Sequence, residues 1–206
     1  MQKIIEQYKE KLIHIYPKEL LKNKDYDYLL VFKEDIAIND PKILVYNYND
    51  DFENELTISL PDKIRKPRKL LTYHECLEII KRNSISVLTI SNDIPYSVPI
   101  NHFVYNNHIY FHCGKTGYKL KGVNKQACLL VYEDLGINEM ASTQNHRSVH
   151  VYGTLKEVKE NKKELLIALM EILTPNNVKE VPPQAVENVN ILEVSLDHVI
   201  GKLHFY

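Results

Sequence analysis

The residues best suited to chemistry in this sequence lie in one short turn, residues 113–119, which reads CGKTGYK. Its two glycines let the backbone approach a ligand closely, and Lys115 and Lys119 add positive charge. A short helix predicted over 116–125 would present free backbone N–H groups at its start. These features favour a phosphate monoester. The glycine spacing is not that of a Walker A loop, so an ordinary lysine-bearing surface turn is the alternative interpretation.

A second candidate surface is the strand predicted over residues 95–105, PYSVPINHFVY. Pro99 has no backbone N–H and cannot donate to a sheet ladder, which predicts that this strand is at an edge or carries a bulge. A ligand could then use the backbone groups that a neighbouring strand would otherwise occupy. A flat, hydrogen-bonding ring attached to a phosphate could lie along residues 98–101.

Strands are the main elements that must position these residues. Runs rich in β-branched and aromatic side chains predict strands over 84–90, 95–105, 108–113, 127–133, 146–158 and 190–196. Asn92-Asp93 and Asn106-Asn107 separate the first three and suit hairpin turns, so these strands should be antiparallel. Besides the helix over 116–125, helices are predicted over 72–83 and 161–173. The first begins with a Thr72–Glu75 capping box, and the last is stopped by Pro175.

The N-terminal part has a different pattern. Apolar residues spaced three and four apart over residues 2–23 predict an amphipathic helix that breaks near Pro17. The segments YDYLLVF (26–32), KILVYNY (42–48) and ELTISL (55–60) then predict two or three strands. The basic stretch Arg65–Lys69 resembles a solvated linker. We therefore expect an N-terminal extension over 1–65, of unknown role, and a main domain over 66–206.

The order of elements predicts a mainly β fold. Too few helices alternate with strands for a doubly wound sheet. An antiparallel barrel with flanking helices is the natural closure because it removes exposed strand edges, and an N-terminal α/β extension would precede it.

Composition excludes several classes of protein. The chain has 206 residues and a net charge of −1, so nothing global favours nucleic acid or a membrane surface. It has no apolar run of 18 residues and no signal-peptide pattern at its start, so we expect a cytoplasmic protein. The three cysteines form no C-x-x-C pair, and His146 and His150 lack the H-E-x-x-H pattern. No metal site is expected.

Five segments, in order, resemble a known family: TYHECLEIIKRNSISVLTI, YSVPINHFVY, IYFHCGKTGYKL, HRSVHVYGTLKEV and LDHVIGK. From Leu70 to Lys202 the chain resembles the pyridoxamine 5'-phosphate oxidase-like, FMN-binding split barrels. Within them it is most similar to the nitroimidazole-resistance (Nim-type) branch. The resemblance implies an antiparallel split β-barrel and a homodimer that binds FMN between its subunits. It does not extend to residues 1–65.

The resemblance also implies which residues contact the cofactor. Val98 to Asn101 would run beside the isoalloxazine ring, and Lys115 and Lys119 would pair with the phosphate. The full set is Val98, Pro99, Ile100, Asn101, His112, Cys113, Lys115, Lys119 and Ser148, with some contacts from the partner subunit. His112 is the catalytic candidate, as a proton donor near the ring; the alternative is that it only hydrogen-bonds cofactor or backbone. The C-terminal tail LDHVIGKLHFY has no arginine, which argues against vitamin B6 oxidation.

Three functions compete at this level. The first is a flavin-dependent oxidoreductase that takes hydride from an NAD(P)H donor and reduces a small-molecule acceptor, such as a nitroaromatic. The second is a non-catalytic flavin- or haem-binding module or sensor, in which residues 1–65 transmit the ligand state. The third is a barrel without a cofactor.

Overall fold

The computed structural model describes residues 1–18, 21, 25–47, 70–91, 94–177, 180–196 and 198–206. The predicted strand over 55–60, the basic stretch Arg65–Lys69 and the Asn92-Asp93 turn lie outside the described residues.

Within those residues the chain is mainly β. The helices are α1 (Gln2–Tyr8), α2 (Tyr73–Arg82), α3 (Lys162–Leu173) and α4 (Pro183–Glu187), with 3₁₀ helices at Tyr118–Gly122 and Pro175–Asn177. The strands are β1 (Leu12–Pro17), β2 (Tyr28–Phe32), β3 (Ile43–Asn47), β4 (Ile85–Ile90), β5 (Tyr96–Asn101), β6 (Phe103–Tyr105), β7 (His108–Gly114), β8 (Gln126–Asn138), β9 (Thr143–Thr154), β10 (Lys156–Val158), β11 (Val189–Ser195) and β12 (Val199–His204).

The chain divides into two compact units. Unit 1 comprises residues 1–79, 132–149 and 197–206, and unit 2 comprises residues 80–131 and 150–196. Strands β8 and β9 contribute residues to both. They belong to a five-stranded sheet of order β12–β9–β8–β4–β5.

Unit 1 contains a three-stranded sheet in the order β1–β2–β3, antiparallel between β1 and β2 and parallel between β2 and β3. The helix predicted over 2–23 is wrong for residues 12–17, because Leu12–Pro17 is strand β1. Residues 19, 20, 22 and 23 lie outside the described residues. Residues Leu12 to Tyr16 are all buried, and a strand covered on both faces cannot be distinguished from a buried helix by periodicity. Pairing with β2 decides the conformation.

Helix α2 begins as its sequence predicts. The backbone N–H of Thr72 donates to Glu75 Oε2 at 2.6 Å, and the backbone N–H of Glu75 donates to Thr72 Oγ1 at 3.2 Å. This reciprocal pair is a capping box, which satisfies N–H groups that have no partner within the helix. Cys76 on this helix is buried, and burial raises the pKa of its thiol.

Unit 2 contains an antiparallel sheet of order β10–β11–β7–β6. Strand β11 pairs with β7 over its whole length, from Val189 opposite Gly114 to Ser195 opposite His108. The predicted helix 161–173 is confirmed as α3, and its apolar side packs on this sheet. The cluster includes Phe103, Tyr110, Leu165, Leu166, Leu169 and Ile191.

The strand predicted over 95–105 is in fact two strands. β5 pairs with β4, whereas β6 pairs with β7, both antiparallel as predicted. The break falls at His102, whose backbone N–H donates to Ser84 O at 2.9 Å and whose Nε2 lies 2.9 Å from Ile80 O. These contacts hold the buried His102 at the point where the chain passes from one sheet to the other.

The final strand, β12, was not predicted, since the last predicted strand ended at residue 196. The glycine in VIGKLH weakens a strand pattern. Gly201 is nevertheless required, since a Cβ there would collide with Cys76 Sγ and lie 2.9 Å from Leu71 Cβ.

Candidate functional site

Strand β5 forms one edge of the five-stranded sheet, as Pro99 predicts. It stands last in the strand order, and Pro99 lies opposite Val87 of β4. Pro99 and Asn101 are exposed, Val98 is half-buried and Ile100 is buried. The other long side of β5 carries no strand within the described residues, so its backbone groups are available to a ligand.

The turn after β7 is open to solvent. Residues 114–118 are exposed and Lys119 is half-buried. A Cβ built on either Gly114 or Gly117 would meet no heavy atom within 4 Å. Gly117 has φ +138°, a conformation that side chains rarely adopt. The backbone of this turn can therefore be approached closely from outside.

The helix predicted over 116–125 is shorter than expected, being a five-residue 3₁₀ helix, Tyr118–Gly122. It ends at Gly122, with Val123 as its C-cap, and the backbone N–H of Asn124 donates to Leu155 O at 2.7 Å. Such a short helix aligns few peptide dipoles, so its N-terminus attracts an anion only weakly. Anion binding at this turn would therefore depend on the lysines and on exposed backbone N–H groups.

Lys119 affects the pKa values of two neighbouring side chains, those of His112 and Cys113. Partial burial lowers the pKa of His112, and the Lys119 ammonium lowers it further. Burial raises the pKa of the Cys113 thiol, and Lys119 opposes that increase. The two side chains lie on opposite faces of β7, so His112 is only partly covered and reaches solvent, whereas Cys113 is buried. Lys119 is thus close enough to influence both.

The two candidate surfaces meet through a pair of aromatic rings. Tyr96, the first residue of β5, and Tyr118, the first residue of the 3₁₀ helix, have ring centroids 5.0 Å apart. Strands β5 and β7 are also in contact. Eight of the nine predicted cofactor residues consequently share one region of unit 2. Neither tyrosine was predicted, although an aromatic residue next to each motif was a usable signal.

Ser148, the ninth predicted residue, is half-buried in the part of β9 that belongs to unit 1. Among the described residues no group of three or more His, Cys, Asp and Glu side chains is arranged to hold a metal ion. None of the described helices has the length and apolar character needed to span a bilayer.

The sequence from residue 72 to residue 203 matches the family model described as pyridoxamine 5'-phosphate oxidase. The chain belongs to this family. The match covers more than half of the chain and includes every residue of the site described above. No protein with a curated description matches the sequence.

Solved structures of similar fold support the split barrel. A flavocytochrome from Azotobacter vinelandii has 17% identity and a TM-score of 0.58, over 68% of this chain and 75% of that one. An FAD- and haem-binding protein from Mycobacterium smegmatis has 17% identity and a TM-score of 0.60, over 67% and 74%. A protein from Bacteroides thetaiotaomicron named for 5-nitroimidazole antibiotic resistance has 22% identity and a TM-score of 0.57, over 65% and 86%. At these identities the likeness concerns the fold, and the predicted mainly β split barrel is confirmed.

Proposed function

We propose that this member of the pyridoxamine 5'-phosphate oxidase family binds FMN and acts as an oxidoreductase on a small acceptor. The observation that carries the proposal is the contact between the edge strand β5 and the lysine turn through Tyr96 and Tyr118. It joins a surface suited to a flat ring with one suited to a phosphate. The proposal includes a homodimer with the cofactor between subunits, and a place in the nitroimidazole-resistance branch.

The donor set fits a flavin mononucleotide. Lys115 and Lys119 would hold the phosphate dianion, which ammonium groups bind as point charges. Gly114 and Gly117 leave the backbone open on the side where a Cβ would point. The free edge of β5 from Val98 to Asn101 offers N–H and C=O groups to the heteroatoms of the ring.

His112 would hydrogen-bond the cofactor in its neutral form. Its pKa lies below the ordinary value, first because of partial burial and then because of Lys119. The imidazole is therefore uncharged near pH 7, and one ring nitrogen can accept a hydrogen bond while the other donates. A phosphate dianion held by Lys119 would offset the lysine charge and raise this pKa. A larger fraction of His112 would then carry a second ring proton when the site is occupied.

A bound flavin would accept and release hydride reversibly. The chain has no G-x-G-x-x-G fingerprint, so an NAD(P)H donor would bind only transiently. The acceptor we propose is a small nitroaromatic. Vitamin B6 is disfavoured because residues 196–206 contain no arginine for the substrate's own phosphate.

Titration of FMN into lysine variants tests the proposal. Lys119→Ala should weaken FMN binding by about 1.5–3 kcal/mol, the range for a hydrogen bond to a charged group, and Lys115→Ala by less. Lys163→Ala, which removes an exposed lysine from α3, is the matched control and should change nothing. The phosphate is misplaced if both turn variants keep full affinity. A colourless protein that ignores added FMN would reject flavin binding altogether.

Haem binding without turnover is the second candidate. An exposed, neutral His112 is in the form that ligates iron, and nothing in the site requires a catalytic role for it. The absorption spectrum of the purified protein separates the candidates, since a Soret band would indicate haem. Steady-state turnover with NADH or NADPH and a nitro acceptor would distinguish the oxidoreductase from a flavin-binding module.

A further inference from the structure

A polar pocket lies on the sheet of unit 2, at the end of β7 that is opposite to the lysine turn. It has a volume of about 120 Å³ and is lined by His108, Thr154, Lys156, Glu193 and Ser195. Lys156 is exposed and the other four residues are half-buried, so all five can contact a ligand. His108 precedes His112 by four residues, which separates the two histidines by about 14 Å along the strand. The pocket is therefore distinct from the proposed flavin site.

The strand register places these side chains together on one face of the sheet. Glu193 of β11 lies opposite Lys156 of β10 on one side and Tyr110 of β7 on the other. Two residues further along β11, Ser195 lies opposite His108. Residues two apart on a strand share a face, and directly opposite residues have Cβ atoms about 5 Å apart. The same face is apolar where Tyr110 packs in the cluster with α3, and it becomes polar where the pocket begins.

Two of the polar groups are held in place by side chains outside the pocket. Burial raises the pKa of Tyr110 to about 12, and the charge of Glu193 and a hydrogen bond to its carboxylate add to the increase. The Tyr110 hydroxyl therefore keeps its proton and donates it to Glu193. Thr154 Oγ1 accepts a hydrogen bond from Gln126 Nε2 at 3.3 Å. Polar groups fixed in this way lose little further conformational freedom when they bind a ligand.

The hydrogen bond of His108 determines the tautomer of its neutral ring. Nδ1 lies 3.0 Å from the backbone oxygen of Asn106, and a carbonyl oxygen can only accept, so Nδ1 carries the proton. Nε2 of the neutral ring is then a hydrogen-bond acceptor. With the Glu193 carboxylate it gives the pocket two acceptors for the N–H groups of a ligand.

The pocket contains one positive and one negative charge that are not joined to each other. Lys156 and Glu193 lie directly opposite on neighbouring strands, yet neither forms an ion pair with any of the described residues. An anion alone would meet the like charge of Glu193, and a cation alone would meet that of Lys156. A ligand that carries both charges matches the pocket best. The ligand must also be small, since pockets for drug-sized molecules have about 300–1,000 Å³.

We propose that this pocket binds a small zwitterion, an α-amino acid of the size of alanine. Its carboxylate would contact Lys156 and the hydroxyls of Thr154 and Ser195. Its ammonium group would donate to Glu193 and to Nε2 of His108. The proposal does not depend on the flavin site, so either one can fail without the other.

NMR titration of the wild-type protein with three probes tests the proposal. The probes are L-alanine, propionate, which lacks the amino group, and ethylamine, which lacks the carboxylate. L-alanine should bind about tenfold more tightly than either of the others, because each of them loses one set of charge-assisted hydrogen bonds. The amide signals of residues 108–110 and 193–195 should shift as L-alanine is added.

Two variants should give opposite patterns with the same probes. Glu193→Gln, which keeps an oxygen for the Tyr110 hydroxyl, should lose about tenfold in affinity for L-alanine and ethylamine but not for propionate. Lys156→Gln should lose about tenfold for L-alanine and propionate but not for ethylamine. Because Lys156 is exposed, this second variant should fold even if the first does not. Glu157→Gln, the control, changes a neighbouring carboxylate on the opposite face of β10 and should affect no probe.

Three results would overturn the proposal. The first is the absence of amide shifts in β7 and β11 when L-alanine is added. The second is an affinity for L-alanine no higher than those for propionate and ethylamine. The third is a Lys156→Gln variant that binds all three probes as the wild type does, or weakens all three equally.

Discussion

Each unit of this protein contains a histidine whose pKa is lowered partly by a lysine, and the two histidines differ greatly in their exposure to solvent. In unit 1 His14 is fully buried, with Nδ1 2.8 Å from Tyr16 Oη, and His198 packs against the same tyrosine ring. In unit 2 His112 is exposed at the end of β7. Burial holds the pKa of His14 at about 3, with smaller contributions from His198 and Lys202. The pKa of His112 is lowered by the same two kinds of cause.

The difference shows that solvent access, more than neighbouring charge, decides what a histidine can do. A fully buried imidazole must stay neutral, so it contributes packing and a hydrogen bond to the core. A histidine that still reaches solvent can exchange its proton when a ligand arrives. The region around His14 should therefore affect folding, and the region around His112 should affect binding.

The largest expected effect is a loss of stability in acid. The pKa of His14 is about 3 in the folded chain and near 6.5 unfolded, so below pH 6.5 the unfolded chain binds the additional proton. Folding stability should fall by about 3 kcal/mol from this residue between pH 6.5 and pH 4. Urea unfolding at several pH values measures it.

The matched variant for that measurement is His14→Asn, whose amide can keep a hydrogen bond to Tyr16 but does not titrate. The difference between the two stability curves isolates His14 from the other histidines, including His102, whose pKa burial also lowers. Parallel curves would mean that His14 is not held neutral by the fold.

Two glycine substitutions compare the packing of the two units, and the expected loss of stability is somewhat smaller than that from His14. Gly201→Ala in unit 1 should lose about 2 kcal/mol of stability, because its Cβ collides with Cys76 Sγ and overpacks a core. Gly114→Ala in the turn of unit 2 meets nothing within 4 Å and should be nearly neutral. Thermal unfolding compares them. Equal losses would indicate that the turn is as tightly packed as the core.

The smallest effect is a change in the pKa of a single histidine. Lys119→Ala should move the pKa of His112 back toward its ordinary value, though not fully, because burial is the larger cause. Lys202→Ala should leave His14 neutral throughout, since burial dominates there. NMR titration of the imidazole protons measures the pKa values of both histidines. An unchanged His112 would place the Lys119 ammonium farther away than we describe.

Local sequence signals predicted the elements whose cause is local. The Thr72–Glu75 capping box, the edge position of the Pro99 strand and the hairpin at Asn106-Asn107 follow from short-range chemistry and are all present. The strand at residues 12–17 did not follow, because residues 12–16 are all buried and show no exposed side from which to infer a period. The break at His102 was missed because it depends on backbone partners 18 and 22 residues earlier, Ser84 and Ile80.

For the candidate site, the sequence alone determined the components: a proline that forces a sheet edge, two glycines that open a turn, and lysines nearby. Those properties belong to single residues and need no neighbours. Only the tertiary structure decided which components share a surface. It brought Tyr96 against Tyr118, buried Cys113 while exposing His112, and reduced the predicted helix to one turn. Each outcome depends on packing between segments distant in sequence, and a pattern of adjacent residues does not encode that packing.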